Sequence, residues 1–97
     1  MNYKVIFPSK SQSDLLEIWD YIERMSFSKE TANKIVAEII SSTKILELYP
    51  YMYKKVYKNF HSYTIKNRRI FYEIDDKYWE VIIYHILWGF QDYENIV

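Results

Sequence analysis

Apolar and polar positions follow three rhythms along this 97-residue chain, and each rhythm predicts an element. Tyr3-Lys4-Val5-Ile6-Phe7 reads as a short first strand, closed by Pro8. Ser9 then stands as an N-cap, with Gln12 three residues on completing a capping box. In the helix that follows, Leu15, Ile18, Trp19, Ile22 and Met25 recur at helical spacing and form one apolar stripe. Asp14, Glu17, Asp20, Glu23 and Arg24 fill most of the remaining surface, as a solvated face would. Ser26-Phe27-Ser28 breaks the pattern, and Ser28 is placed to cap a second helix over residues 29–48. Its stripe is Ala32, Ile35, Val36, Ile39, Thr43 and Leu46, widened by Ile40 and Ile45. Pro50 stops it, because the residue before a proline is pushed out of helical geometry. Two long amphipathic helices joined by so few residues pack antiparallel as a hairpin.

Beyond Pro50 the period changes to two. Residues 51–60 make a basic, aromatic connection, and three strands follow at 61–65, 69–74 and 80–87. Their turns, at Lys66-Asn67 and Asp75-Asp76-Lys77, are short enough to make antiparallel hairpins. Gly89, the one glycine, ends the last strand in a conformation other residues avoid, and the tail at 90–97 reads as a turn folding back. The expected architecture is α+β, in the order β-α-α-β-β-β. A two-helix hairpin packs on one face of a mainly antiparallel four-stranded sheet, and no linker, repeat or low-complexity stretch divides residues 1–97.

Within the second of those strands, Ile70, Tyr72 and Ile74 alternate with Arg69, Phe71 and Glu73. Phe71 spoils strict alternation, so both faces are partly covered, as in a central strand. Arg69 then projects from a fixed scaffold, where a guanidinium can grip phosphate or carboxylate with two parallel bonds; the alternative is a solvated charge at a strand end.

Composition narrows the picture. Eleven tyrosines suit a thin domain that buries rings and keeps hydroxyls wet. There is no cysteine, which excludes disulfides and thiolate metal sites, and two histidines without well-placed acids make no zinc site. No cofactor is expected. No apolar run is long enough to span a bilayer, and the start is no signal peptide, so a cytoplasmic chain is expected. Thirteen bases cancel thirteen acids, but unevenly. Lys54, Lys55, Lys58, Lys66, Arg68 and Arg69 occur with no acid among them, while residues 73–94 are acidic, so a basic patch can still draw an anionic partner.

No phosphate loop, zincin helix or nucleophile elbow is present. The reactive-looking groups are Lys55, Lys58, His61, Arg68, Arg69 and His85, with Tyr72 and His85 as the proton carriers such a cluster would need. Rings interleaved with cations over 51–60 either hold nucleic acid or pin a loop to the core while the lysines stay wet.

In this order the pieces resemble the RelE/ParE superfamily of small bacterial toxins from type II toxin–antitoxin (plasmid-stabilisation) modules. The resemblance is carried by Tyr3-Lys4-Val5-Ile6-Phe7, by Asp14-Leu15-x-x-Ile18-x-x-Tyr21-Ile22, and by Leu48-Tyr49-Pro50 closing the second helix. Arg69-Ile70-Phe71-Tyr72-Glu73-Ile74 is similar to the family's central strand, and Gly89-x-Gln91-Asp92-Tyr93-x-x-Ile96 to its closing motif. The resemblance implies a growth inhibitor neutralised by a cognate antitoxin. Some relatives cut messenger RNA at the ribosome and others poison DNA gyrase. For a nuclease, it carries catalysis to Arg69, beside which Tyr72 and His85 remain the proton carriers read from the residues themselves. For a binder, Lys54, Lys55, Lys58, His61, Arg68 and Trp88 become the surface for target or antitoxin. The chain lacks an acid in its basic loop, has Trp88 where relatives place histidine, and has no net charge to draw it to RNA. Those departures favour a ParE-like gyrase binder over a ribosome-dependent endoribonuclease, with a degenerate member kept for antitoxin binding as the third reading. The oligomeric state stays open between a homodimer and a hetero-oligomer with the antitoxin.

Overall fold

The computed structural model describes residues 2–88. Its elements are β1 (Lys4–Ile6), α1 (Ser9–Ser26), α2 (Lys29–Ser42), a 3-10 turn (Lys44–Glu47), β2 (Lys55–Tyr57), β3 (Phe60–Ile65), β4 (Arg68–Asp75) and β5 (Glu80–Trp88). The strands form one sheet in the order β1-β5-β4-β3-β2. β1 runs parallel to β5, and every other neighbour pair is antiparallel. The sheet therefore has five strands, not the four expected. The extra one is β2, inside the basic connection, and its irregular pairing with β3 (Lys55↔His61, Tyr57↔Phe60) hides it from a period-two reading. The expectations for Gly89 and the 90–97 tail lie outside the described residues.

Helix ends differ from expectation where side chains compete with the backbone. Pro8, not Ser9, is the N-cap of α1, and no side chain caps it. Gln12 instead donates its amide to the Phe7 carbonyl at 2.7 Å, and the Ser11 hydroxyl donates to the Pro8 carbonyl at 3.0 Å. Ser28 does cap α2, accepting the Thr31 N–H at 3.1 Å. That helix stops at Ser42, earlier than its apolar stripe. Ser42 and Thr43 turn their hydroxyls back onto the carbonyls of Ile39 and Ile40, at 2.6 and 2.7 Å, and the chain tightens into the 3-10 turn. Leu46 still reaches the core from that turn.

The core lies between the helices and one sheet face. Ile18 and Ile39 from the helices meet Tyr63, Ile70, Tyr72, Val81, Ile83 and Ile86. On β5 the inward set changes parity between Ile83 and Ile86. The register explains it: Phe71 pairs with His85 and Tyr72 with Ile83, so Tyr84 is an inserted bulge residue. Lys66 and Asn67 both adopt positive φ, 49° and 59°, the geometry of a type I′ two-residue hairpin between β3 and β4. Met25, expected in the buried stripe, is exposed in the last turn of α1.

One residue of the supposed solvated face is buried. Asp14 is 6% exposed, and its Oδ2 accepts the Ile86 N–H at 2.9 Å. Strand β1 covers β5 only as far as Ile82, so among the described residues the outer edge of β5 has no strand partner from there on. The Asp14 carboxylate supplies the acceptor that the missing strand does not, and Lys10 pairs with its other oxygen at 2.5 Å. We expect Asp14→Ala to destabilise the fold by about 2 kcal/mol, since it strands a buried N–H. Asp14→Asn keeps an acceptor and should cost clearly less. Urea unfolding of the two variants beside Ser13→Ala, at an exposed neighbouring position, checks both.

Candidate functional site

Alternation along β4 sends its two arginines to opposite faces. Arg68 is 5% exposed and lines a cleft of about 460 Å³ on the α1 side, with Asp14, Glu17, Asp20, Tyr21, Arg24 and Ile86 around it. Its guanidinium donates to the Lys66 carbonyl at 3.2 Å. Burial pulls its pKa below the usual arginine value, and the nearby Tyr21 partly offsets this. Arg69 is half-buried on the central strand of the sheet, on the face away from the helices.

That helix-free face carries an aromatic cluster. Phe60 meets Phe71 and Tyr84 edge-on at 6.3 and 5.6 Å, and His85 lies 6.0 Å from Phe60. Burial, and then the charge of Lys10, push the His85 imidazole below its ordinary value, which favours its neutral form, and Asp14 works against them. Its Nδ1 is enclosed with no hydrogen-bond partner. The bulge at Tyr84 is what turns both Tyr84 and His85 toward this face.

His61 and Tyr72 lie on the other side of the sheet, in the core. Their rings stack at 5.3 Å, and His61 Nδ1 meets the Tyr53 carbonyl at 2.8 Å. Tyr72 is fully buried, and its hydroxyl donates to the Pro50 carbonyl at 2.8 Å. Burial raises the Tyr72 pKa well beyond the tyrosine range, which ties the proton to that bond. Tyr63 stacks on Tyr53 at 4.4 Å, shares a hydrogen bond with Ser42, and is pushed up to about 12 by burial. These contacts hold residues 50–53 down onto the sheet. They join Tyr72 to structure and separate it from Arg69 and His85.

Lys54, Lys55 and Lys58 are exposed around β2 at the far edge of the sheet, where Lys58 turns at φ 49° and rests 5.2 Å over the Tyr57 ring. Trp88 closes β5; its side chain lies outside what the structure describes. The predicted reactive groups are thus divided among two faces and an edge. Among the described residues there is no acidic or histidine cluster that would hold a metal, and no helix long and apolar enough to cross a membrane.

Two features were missed from sequence. Asp76, in the β4–β5 turn, accepts hydrogen bonds from the hydroxyls of both Tyr3 (2.5 Å) and Tyr51. Nothing in the sequence joins positions 3, 51 and 76. The second is a groove of about 630 Å³ lined by Ile45, Leu48, Tyr49, Pro50, Tyr51 and Met52. A signal for it existed: this run is too apolar for an ordinary connection.

The family model for the ParE toxin of type II toxin–antitoxin systems, parDE, matches residues 5–93. The chain belongs to the ParE toxin family. The fold is similar to a chain of the RelBE2 toxin–antitoxin complex of Mycobacterium tuberculosis, with TM-score 0.67 and 19% identity, over 91% of this chain and 99% of that one. It is also similar to a chain of the chromosomal ParDE toxin–antitoxin system of P. aeruginosa, with TM-score 0.78 and 18% identity, over 89% and 95%. No curated protein sequence matches it. In this ParE-family toxin, family membership rests on the sequence match, and the two structures show that the β-α-α-sheet frame is shared.

Two expectations test which of these side chains are structural. Tyr72→Phe should lower stability by about 1 kcal/mol, a fall in Tm of roughly 4–8 °C for a domain of this size, and leave toxicity to cells unchanged; thermal melts and a growth assay read the two. The Asp76 clamp has a pH signature. Its two tyrosine hydrogen bonds hold the carboxyl below its ordinary value of 3.8, so the stabilisation is present above that value and is lost as pH falls through the lower folded one. Tyr3 is raised from 10.0 to about 12 by the same hydrogen bond, so that contribution persists below pH 10 and disappears as pH rises through 12. Asp76→Asn should flatten both limbs of the stability–pH curve measured by urea unfolding.

Proposed function

We propose that this ParE-family toxin arrests growth by binding a protein target, DNA gyrase, in the cytoplasm, and that a cognate antitoxin neutralises it. The observation that supports binding over catalysis is the division of the chemistry. Arg69 and His85 belong to the helix-free face, Tyr72 and His61 to the core, and Lys54, Lys55 and Lys58 to the sheet edge. An RNA-cleaving site needs an acid and a base within hydrogen-bond reach of the same reacting atoms. An inhibitor that acts by docking needs only a rigid surface. Zero net charge agrees, because a ribosome-directed protein gains from a positive field. A cognate antitoxin fits the two similar structures, each of which comes from a toxin–antitoxin pair.

The second reading, a ribosome-dependent endoribonuclease, draws on Lys54, Lys55 and Lys58 exposed together beside tyrosines, with Arg69 as its cation. The two readings separate in one pair of assays. Purified toxin should abolish gyrase supercoiling at concentrations near that of the enzyme, and primer extension on translated messenger should show no A-site cuts. Intact supercoiling at saturating toxin, with cleavage in the ribosomal A site, would replace the first reading by the second. Overexpression without growth arrest would point to a member kept only for antitoxin binding.

A further inference from the structure

The segment between α2 and β2 presents apolar surface in a fixed shape. Leu48, Tyr49, Tyr51 and Met52 leave 56, 60, 58 and 50% of their surface to solvent around the groove. Each of these side chains would gain from further burial, which leaves a driving force for a partner that covers them. The loop is not loose. The Tyr49 N–H donates to the Ile45 carbonyl at 3.0 Å and the Met52 N–H to the Tyr49 carbonyl at 3.2 Å. Tyr72 holds the Pro50 carbonyl from below, His61 holds that of Tyr53, and Asp76 holds the Tyr51 hydroxyl from the side. A groove pinned from three directions loses little conformational entropy when occupied.

Its surroundings indicate what would occupy it. From residue 48 to residue 72 the chain has no acid, and it carries Lys54, Lys55, Lys58, Lys66, Arg68 and Arg69. Glu47 adjoins the groove in sequence, and Asp76 is engaged by two tyrosines. Ile45, Leu48 and Met52 set aliphatic walls beside the rings of Tyr49 and Tyr51, and the lysines follow the groove in sequence instead of lining it. That combination suits apolar side chains on a segment whose other positions are acidic, and suits nucleic acid poorly, since phosphates would need cations in the groove itself.

We propose that the groove formed by Ile45, Leu48, Tyr49, Pro50, Tyr51 and Met52 receives the apolar side chains of an acidic amphipathic segment of the antitoxin, with Lys54 and Lys55 meeting its carboxylates. The inference rests on the reading that an antitoxin neutralises this toxin. The segment folds or extends onto the toxin as it binds, with apolar anchors providing most of the affinity and charge setting its direction.

The probe is the full-length product of the gene adjacent to this one, titrated onto wild-type toxin and onto Leu48→Asp, Tyr49→Ser, Met52→Asp and Leu16→Asp. Circular dichroism and melting first select the variants that keep the wild-type fold; Tyr49→Ser, at the most exposed of the three groove positions, keeps the test available if a charge there unfolds the chain. Each groove variant should weaken binding by roughly tenfold or more, the loss of a single well-packed anchor. Leu16→Asp, at an exposed position of α1, should change it little, and Lys54→Glu with Lys55→Glu should reduce both affinity and its salt dependence. Unchanged affinity across the groove variants overturns the proposal while the antitoxin reading stands. Failure of the probe to bind wild-type toxin removes that reading and this proposal with it. Two further outcomes also overturn it: self-association of the toxin abolished by Met52→Asp with antitoxin affinity intact, which assigns the groove to a second copy, and binding of an oligouridine that the groove variants abolish, which assigns it to RNA.

Discussion

The hydrogen bond from the Ile86 N–H to Asp14 is the contact that sets helix α1 on the sheet. Among the described residues, a three-residue β1 leaves most of the outer edge of β5 without a strand partner. An exposed edge invites pairing with other chains, and a buried N–H without an acceptor costs about as much as a whole hydrogen bond contributes. A carboxylate projected from the second turn of α1 answers both problems. It also fixes where α1 crosses β5, and so shapes the cleft between them that Arg68 lines. Lys10, one turn earlier, pairs with the same carboxylate and lowers the His85 pKa, while Asp14 itself raises it.

A second constraint operates on the opposite side of the molecule. The chain leaves α2 early, because Ser42 and Thr43 bond back onto the helix, and it must then travel from the 3-10 turn to the far edge of the sheet. Tyrosines hold this path in place. Tyr72 and Tyr63 pack beneath it, with Tyr53 of the path stacked on Tyr63, and Tyr51 joins it to the β4–β5 turn through Asp76, which Tyr3 also holds. The abundance of tyrosine thus has a structural use: rings fill a thin core while hydroxyls reach carbonyls and carboxylates at its margin. A connection held this firmly can keep apolar side chains pointing outward.

The division of polar groups between faces bears directly on function. A β-strand sends successive side chains to opposite sides, so the adjacent Arg68 and Arg69 cannot serve one site. The bulge at Tyr84 then shifts His85 to the face of Arg69, while Tyr72 remains in the core with His61. What remains is a rigid toxin frame with a polar cleft on one side and an apolar groove near the other. Such a frame suits recognition.

Periodicity and punctuation in the sequence determined the helix hairpin, the three long strands and their tight turns, since each of these follows from spacing within a few residues. Ser28, the Lys66-Asn67 turn and the stripe through Ile18, Ile39 and Leu46 were legible for that reason. β2 was not, because its irregular pairing leaves no period to read. Nor was Asp14, whose burial depends on where β1 ends and which serves the Ile86 amide 72 residues further along the chain. The same holds for the candidate site. Residue types pointed to Arg68, Arg69, Tyr72 and His85 as one cluster, but only the sheet, its bulge and the helices above it decided which of them face each other. Local order is written in neighbouring residues; a shared face is a property of the folded chain.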